Sequence, residues 1–259
     1  MIPNNHTIMY FKFNENRWIQ KIQEGELSFS CAGAFILQAK RTGNYVQGDE
    51  LEGVFARLHN SNPKIIEMRN KLGDDLEEIA DGDFTFLRRE SAKVKPIFCV
   101  FSYTAENVLQ DGKIAKPGTQ VVRFNFDQRM YDGFVTPSAI NVVSDSHRFT
   151  LSLFQPKPFI DKVEKALLIK QKPYKVERIN YIPMSQGEFF IEPTDDYREL
   201  FTKSKNYKYQ HEERICLIKE SFRTESERYL LHVGRFNKED YFTFHDVVNI
   251  EITGNFVKV

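Results

Sequence analysis

Apolar and polar residues alternate along much of this chain, and the period of the alternation changes at a few defined points. Residues 9–13 step as a short half-buried strand does, and residues 26–30 repeat the pattern, with Leu27 and Phe29 on one face and Ser28 and Ser30 on the other. Between them Asn14 offers an N-cap to a helix that carries Trp18, Ile19 and Ile22 on one face, and Gly25 ends it. A small, apolar run over 31–40 reads as helix and breaks at Arg41-Thr42-Gly43-Asn44. Gly48-Asp49-Glu50-Leu51-Glu52-Gly53 then forms an acidic turn that opens toward an apolar segment. Acids are favoured where a helix begins, so capping is one account of Asp49 and Glu52. Asn62-Pro63 starts a helix through Leu72, and 74–80 reads as a second, acidic helical piece.

Two strands follow over 83–88 and 96–103, the second so apolar that it belongs in the middle of a sheet. Asp111-Gly112 and Lys116-Pro117-Gly118 mark turns, and further strands are predicted over 119–126, 139–143, 174–182, 227–233, 241–244 and 247–252. Residues 159–169 keep apolar side chains at helical spacing and make the clearest amphipathic helix. Residues 197–203 read as a short helix. No internal repeat or Ser/Gly linker interrupts the pattern. The expected fold is α+β (mixed α/β): a single domain, 1–259, with a central mixed, largely antiparallel sheet and inserted helices.

One stretch joins a charged cluster directly to an apolar strand: Lys205-Asn206-Tyr207-Lys208-Tyr209-Gln210-His211-Glu212-Glu213-Arg214-Ile215-Cys216. If 209–218 are extended, Gln210, Glu212, Arg214 and Cys216 share one face, while His211, Glu213, Ile215 and Leu217 share the other. An arginine beside a carboxylate keeps it ionised and oriented. That arrangement suits either a structural ion pair or a site that binds something polar.

Composition narrows the function classes. Lys and Arg together number 36, as do Asp and Glu, so no net charge argues for non-specific nucleic-acid or membrane binding. Phe (23) and Tyr (11) far outnumber the one Trp; most are expected in the core, and a minority could line a ligand slot or a partner surface. Cys31, Cys99 and Cys216 have neither C-x-x-C nor metal-ligand spacing and read as small buried hydrophobes of a reduced, cytoplasmic protein. Residues 1–9 lack the cationic start and apolar run of a signal peptide, and no window is long and apolar enough to span a bilayer. Walker, G-x-G-x-x-G, H-E-x-x-H and G-x-S-x-G motifs are absent, and no metal is expected from six scattered histidines.

The order of Tyr10, Gly25, Leu27, Phe29 and Ser30, the acidic turn with Asp49 and Glu52, Phe101 and Ser102, and the late Lys203, Tyr209, Glu212 and Arg214 resembles a bacterial and phage family of unknown function encountered near phage-resistance genes. The family's late motif has a second acid where this chain has Gln210. The opening strand, helix and Gly-x-Leu-x-Phe-Ser are also similar to the entry of an ADP-ribosyltransferase fold. That resemblance implies a phage-defence or counter-defence protein that binds NAD or a nucleotide in a polar cleft. Glu212 would then stabilise a positively charged ribose in the transition state, with Arg214 beside it. Ser28 or Ser30 would face the ribose, Tyr10 or Lys12 would take the first-strand position, and Asp49, Glu52, Ser102 and Tyr209 would line the cofactor site. The alternative is a non-catalytic protein that recognises a protein or nucleotide ligand, in which Asp49, Glu52, Glu212 and Arg214 form a structural polar cluster.

Overall fold

The computed structural model describes residues 7–43, 48–104, 120–124, 149–244 and 250–254. The strand expected over 139–143 and the turns at 111–112 and 116–118 lie outside the described residues. In chain order the elements are β1 (Thr7–Glu15), α1 (Asn16–Gln23), β2 (Glu26–Cys31), α2 (Ala32–Thr42), β3 (Val54–His59), α3 (Lys64–Leu72) and β4 (Leu76–Asp81). They continue with β5 (Phe84–Arg89), α4 (Glu90–Lys93), β6 (Pro96–Thr104), β7 (Gln120–Phe124), β8 (Phe149–Phe154) and α5 (Pro156–Ile169). The last are β9 (Lys175–Arg178), β10 (Asn180–Ile182), β11 (Phe189–Phe190), β12 (Thr202–Ser204), β13 (Glu212–Cys216), β14 (Tyr229–His232), β15 (Tyr241–Phe244) and β16 (Ile250–Gly254). The fold is α+β with mostly antiparallel pairing. Backbone packing groups the chain into two compact units, each assembled from separated segments.

Unit 1 comprises Met1–Leu27, Val100–Ala166 and His232–Val259. Here β1 pairs antiparallel with the end of β6 (Tyr10 opposite Ser102) and, along its other edge, with β8 (Phe13 opposite Leu151). β15 adds to the far edge of β8, and β16 pairs with β7. One aromatic cluster of this unit centres on Phe159: Phe154 and Phe236 both lie against it, and its ring stacks on Phe236 at 5.6 Å. Ile19 and Ile22 of α1 are buried, but Trp18 is 41% exposed. It stands at the margin of the apolar stripe, with Arg17 and Lys21 over its ring at 5.1 and 5.4 Å. Gly25 follows with φ +88°, and a Cβ there would lie 2.3 Å from the Gly234 carbonyl oxygen. Only glycine allows that approach, which Val233 N–H secures by donating to Gly25 O at 2.8 Å.

Unit 2 comprises Ser28–Cys99 and Leu167–Leu231. Its sheet runs β11-β3-β5-β4, and α3 packs on it to bury Phe55, Ala56, Leu58, Ile65, Met68 and Leu87. The acidic segment 74–80, expected to be helical, is instead a single 3₁₀ turn (Gly73–Asp75) followed by β4, which pairs with β5 along its length. Tertiary pairing overrides a local preference of a few tenths of a kcal/mol per residue. Its acids find cross-strand and helix partners there: Glu77 on Arg88 (2.8 Å) and Glu78 on Arg69 (2.5 Å). In the second part of this unit β13 pairs with β9 and β6, the start of β6 pairs with β2 (Ser30 opposite Ile97), and β10 runs parallel to β12. Ala32, Ala92, Ile97, Ile179, Leu200, Phe201 and Cys216 form the core beneath. The three cysteines form no disulfide. Among the described residues, no helix is long and apolar enough to cross a membrane.

Candidate functional site

Three carboxylates and two cations are buried together in unit 2, and backbone geometry places each of them. The 49–53 turn is set by its own side chain: Asp49 Oδ1 accepts the Leu51 N–H at 2.9 Å, the local bond that makes Asp a turn former. Just before it, a Cβ on Gly48 would lie 2.5 Å from Ala39 N and Phe35 O, so a side chain there would push the turn off α2. The apolar segment that follows is β3, not a helix, and Asp49 and Glu52 are therefore not helix caps. Arg88 of β5, 1% exposed, fixes the turn from below: Nη1 donates to the carbonyls of Glu50 (2.9 Å) and Glu52 (3.1 Å), and Nε to Glu77.

Lys203 and Glu212 are brought together by two strand pairings. β10 aligns Tyr181 with Lys203, and the Tyr181 hydroxyl oxygen accepts the Glu212 backbone N–H at 2.9 Å. The stretch 209–218 is not uniformly extended. Lys205–Gln210 forms a 3₁₀ segment, His211 turns the chain at φ 45°, ψ 46°, and the strand starts only at Glu212. A non-glycine residue in that region carries strain, and here it delivers Glu212 into the interior. All five residues of β13 are buried, so the strand has no solvent face.

Within this frame Arg214 donates from Nε to Glu212 Oε1 (2.5 Å), from Nη1 and Nη2 to the two oxygens of Glu52 (2.5 and 3.0 Å), and from Nη1 to Leu200 O (2.5 Å). Lys203 Nζ donates to Glu212 Oε2 (3.0 Å) and Gln210 Oε1 (2.9 Å), stands 3.9 Å from Glu52 Oε2, and lies 4.9 Å from the centre of the Tyr207 ring. Both Glu212 oxygens and both Glu52 oxygens thus face cations. Burial alone would raise the Glu212 carboxyl, but the charges of Arg214 and Lys203 hold it well below the usual carboxylate range. Burial would lower Lys203, and Glu212 and Glu52 keep it above its ordinary value.

Asp49 is the exception. It is 4% exposed, and its Oδ2 has no hydrogen-bond partner. Burial, followed by the nearby charge of Glu52, pushes its carboxyl up from 3.8 to about 6. Burial and then the Asp49 charge raise the half-buried Tyr207 hydroxyl as well. Alongside the network, Glu199 is fully buried and holds Arg89 through Oε1 (2.6 Å), while its Oε2 also has no hydrogen-bond partner; burial raises its carboxyl.

Of the residues named from sequence, Asp49, Glu52, Glu212 and Arg214 meet in this network, and Tyr209 stands in the 3₁₀ segment beside it. Ser30 is in the same unit but pairs opposite Ile97 in β2, and Ser28 is exposed. Tyr10, Lys12 and Ser102 belong to unit 1: Tyr10 stands opposite Ser102, its ring 5.4 Å from Phe159, and Lys12 opposite Ser152. The network's further members are Lys203, Gln210, Tyr181, Tyr207 and Cys99, whose thiol hydrogen-bonds the Glu212 carboxylate, and Arg88 braces the turn through backbone carbonyls alone. Lys203 carries the family resemblance, and Gln210 shares the sequence register of Glu212; Arg88 and Tyr181 lie on remote strands and leave no local signal. Among the described residues no group of three His, Cys, Asp or Glu side chains is arranged to hold a metal ion. Comparison of the chain with protein-family models, with curated proteins and with solved structures finds no match.

Proposed function

We propose that this protein is a binding protein whose buried charged network in unit 2 recognises a small polar ligand, with Glu52, Glu212, Lys203 and Arg214 as the rigid frame of the site. The observation that carries this is the completeness of the frame beside the incompleteness of Asp49. Four charged groups satisfy one another, and one buried carboxylate oxygen beside them is left without a donor. Buried polar atoms are satisfied in the great majority of cases, and an orphan is a place where something binds or where strain is held.

Transfer of an ADP-ribosyl group through Glu212 would need a carboxylate with charge to offer a developing cation. Glu212 has spent its charge on Arg214 and Lys203 and is 4% exposed, which favours a framing role over a catalytic one. The test is a thermal-shift screen with NAD, mononucleotides, small amines and small carboxylates. A ligand of the native state raises the melting temperature in proportion to the logarithm of its concentration. At least one class is expected to do so, and a flat response to every class sinks the proposal. Release of nicotinamide from NAD, lost in Glu212→Gln at unchanged melting temperature, would replace it with the transferase function.

A further inference from the structure

The three carboxylates of the network, Asp49, Glu52 and Glu212, outnumber its two cations, Lys203 and Arg214, by one. The donors of both cations are already directed at protein acceptors: Arg214 at Glu52, Glu212 and Leu200 O, Lys203 at Glu212 and Gln210. A phosphate or carboxylate ligand would therefore find its donors taken and three acids around it. Of the two buried carboxylate oxygens without a hydrogen-bond partner among the described residues, Asp49 Oδ2 and Glu199 Oε2, the first belongs to this network, and a metal ion would find no group of three His, Cys, Asp or Glu ligands arranged for it among the described residues. Tyr207 completes the setting. It is half-buried, its ring lies over Lys203, and its hydroxyl feels the Asp49 charge. An aromatic ring next to a lone carboxylate is the pairing that holds organic cations.

We propose that Asp49 Oδ2 is the anchoring acceptor for the cationic N–H donor of a small organic ligand, an ammonium or guanidinium group seated beside Tyr207. This deepens the binding function proposed above and rests on it. An N–H donor bonded to Asp49 would satisfy the orphan oxygen and bring the network to charge balance in one contact.

The groups facing Asp49 are Glu52 on its own turn, Lys203 from β12, Arg214 from β13 and Tyr207 from the 3₁₀ segment. Lys203 and Arg214 are both held above their ordinary values and Glu212 below its own, and the Asp49 carboxyl is raised to about 6. A ligand that stays positively charged in this range should therefore bind about tenfold more tightly at pH 7 than at pH 5, as a carboxyl near 6 ionises.

The test uses the full chain with agmatine as the probe and tetramethylammonium, a cation without N–H donors, as its control, by thermal shift and calorimetry at pH 5, 6 and 7. Agmatine is expected to bind, with affinity rising about tenfold across that range, and tetramethylammonium to bind at least tenfold more weakly. Asp49→Asn should lose most of the agmatine affinity and all of its pH dependence. Should that variant fail to fold, the pH profile and the agmatine-to-tetramethylammonium ratio of the native protein decide the matter. Equal affinity in Asp49→Asn, no pH dependence, or no discrimination between the two cations would overturn the assignment. If nucleotides or NAD bind while agmatine does not, the binding function stands and the cationic ligand is excluded; if nothing binds, both fall.

Discussion

Glu212→Gln would keep the shape of the side chain and remove the charge that both Arg214 and Lys203 face. Removing one partner from a buried ion network costs on the order of 3 to 5 kcal/mol, because it strands the opposite charges away from water. Chemical denaturation of the variant is expected to show a loss of about 3 kcal/mol; unchanged stability would remove Glu212 from the frame. The two acids respond to pH in opposite senses. Asp49 has its folded value raised from 3.8 to about 6, so its penalty is present above 6 and is relieved as pH falls toward 3.8, worth about 3 kcal/mol over that interval. Glu212 has its value lowered from 4.5, so its contribution is present above 4.5 and is lost as pH falls below it. Stability should therefore rise on going from pH 7 to about 5 and fall at lower pH, and Asp49→Asn should shrink the rise to the part that the buried, raised Glu199 carboxyl contributes while leaving the fall. Denaturant midpoints across that range measure both limbs.

Periodicity identified elements well where a segment has one face to bury. α3 and α5 follow their apolar spacing, and β1, β2 and β5 follow their alternation. It misread 74–80 because acids favour a helix start locally, whereas Arg88 and the long pairing edge of β5 are supplied from elsewhere in the chain. It also extended β13 backward through His211, where one left-handed residue ends the 3₁₀ segment and begins the strand. The turn after α1 supplies a prediction at this scale. Gly25→Ala would set a Cβ 2.3 Å from the Gly234 carbonyl oxygen at a φ of +88°, so unit 1 is expected to lose more than about 2 kcal/mol of stability. A melting curve like that of the native protein would contradict the close approach.

For the whole molecule, the cysteine thiols give a direct check. Cys31 and Cys216 are buried, Cys99 is half-buried, and burial pushes the Cys216 thiol up to about 12. Three thiols should label in denaturant without reductant, and Cys99 should react first in the native protein; fewer than three would reveal a disulfide. The mixed class of the fold could be read from sequence, because helices and strands follow from the local period of the apolar residues. The pairing of Glu212 with Arg214 was legible for the same reason: residues two apart on a strand share a face. That Glu52 would join them from 162 positions away, that Lys203 would neutralise the remaining Glu212 oxygen, and that Asp49 would be left with an unmet one were decided only by the tertiary structure. Those facts depend on which remote strands adjoin and on how much water is excluded between them, and neither quantity is carried by a local stretch of sequence.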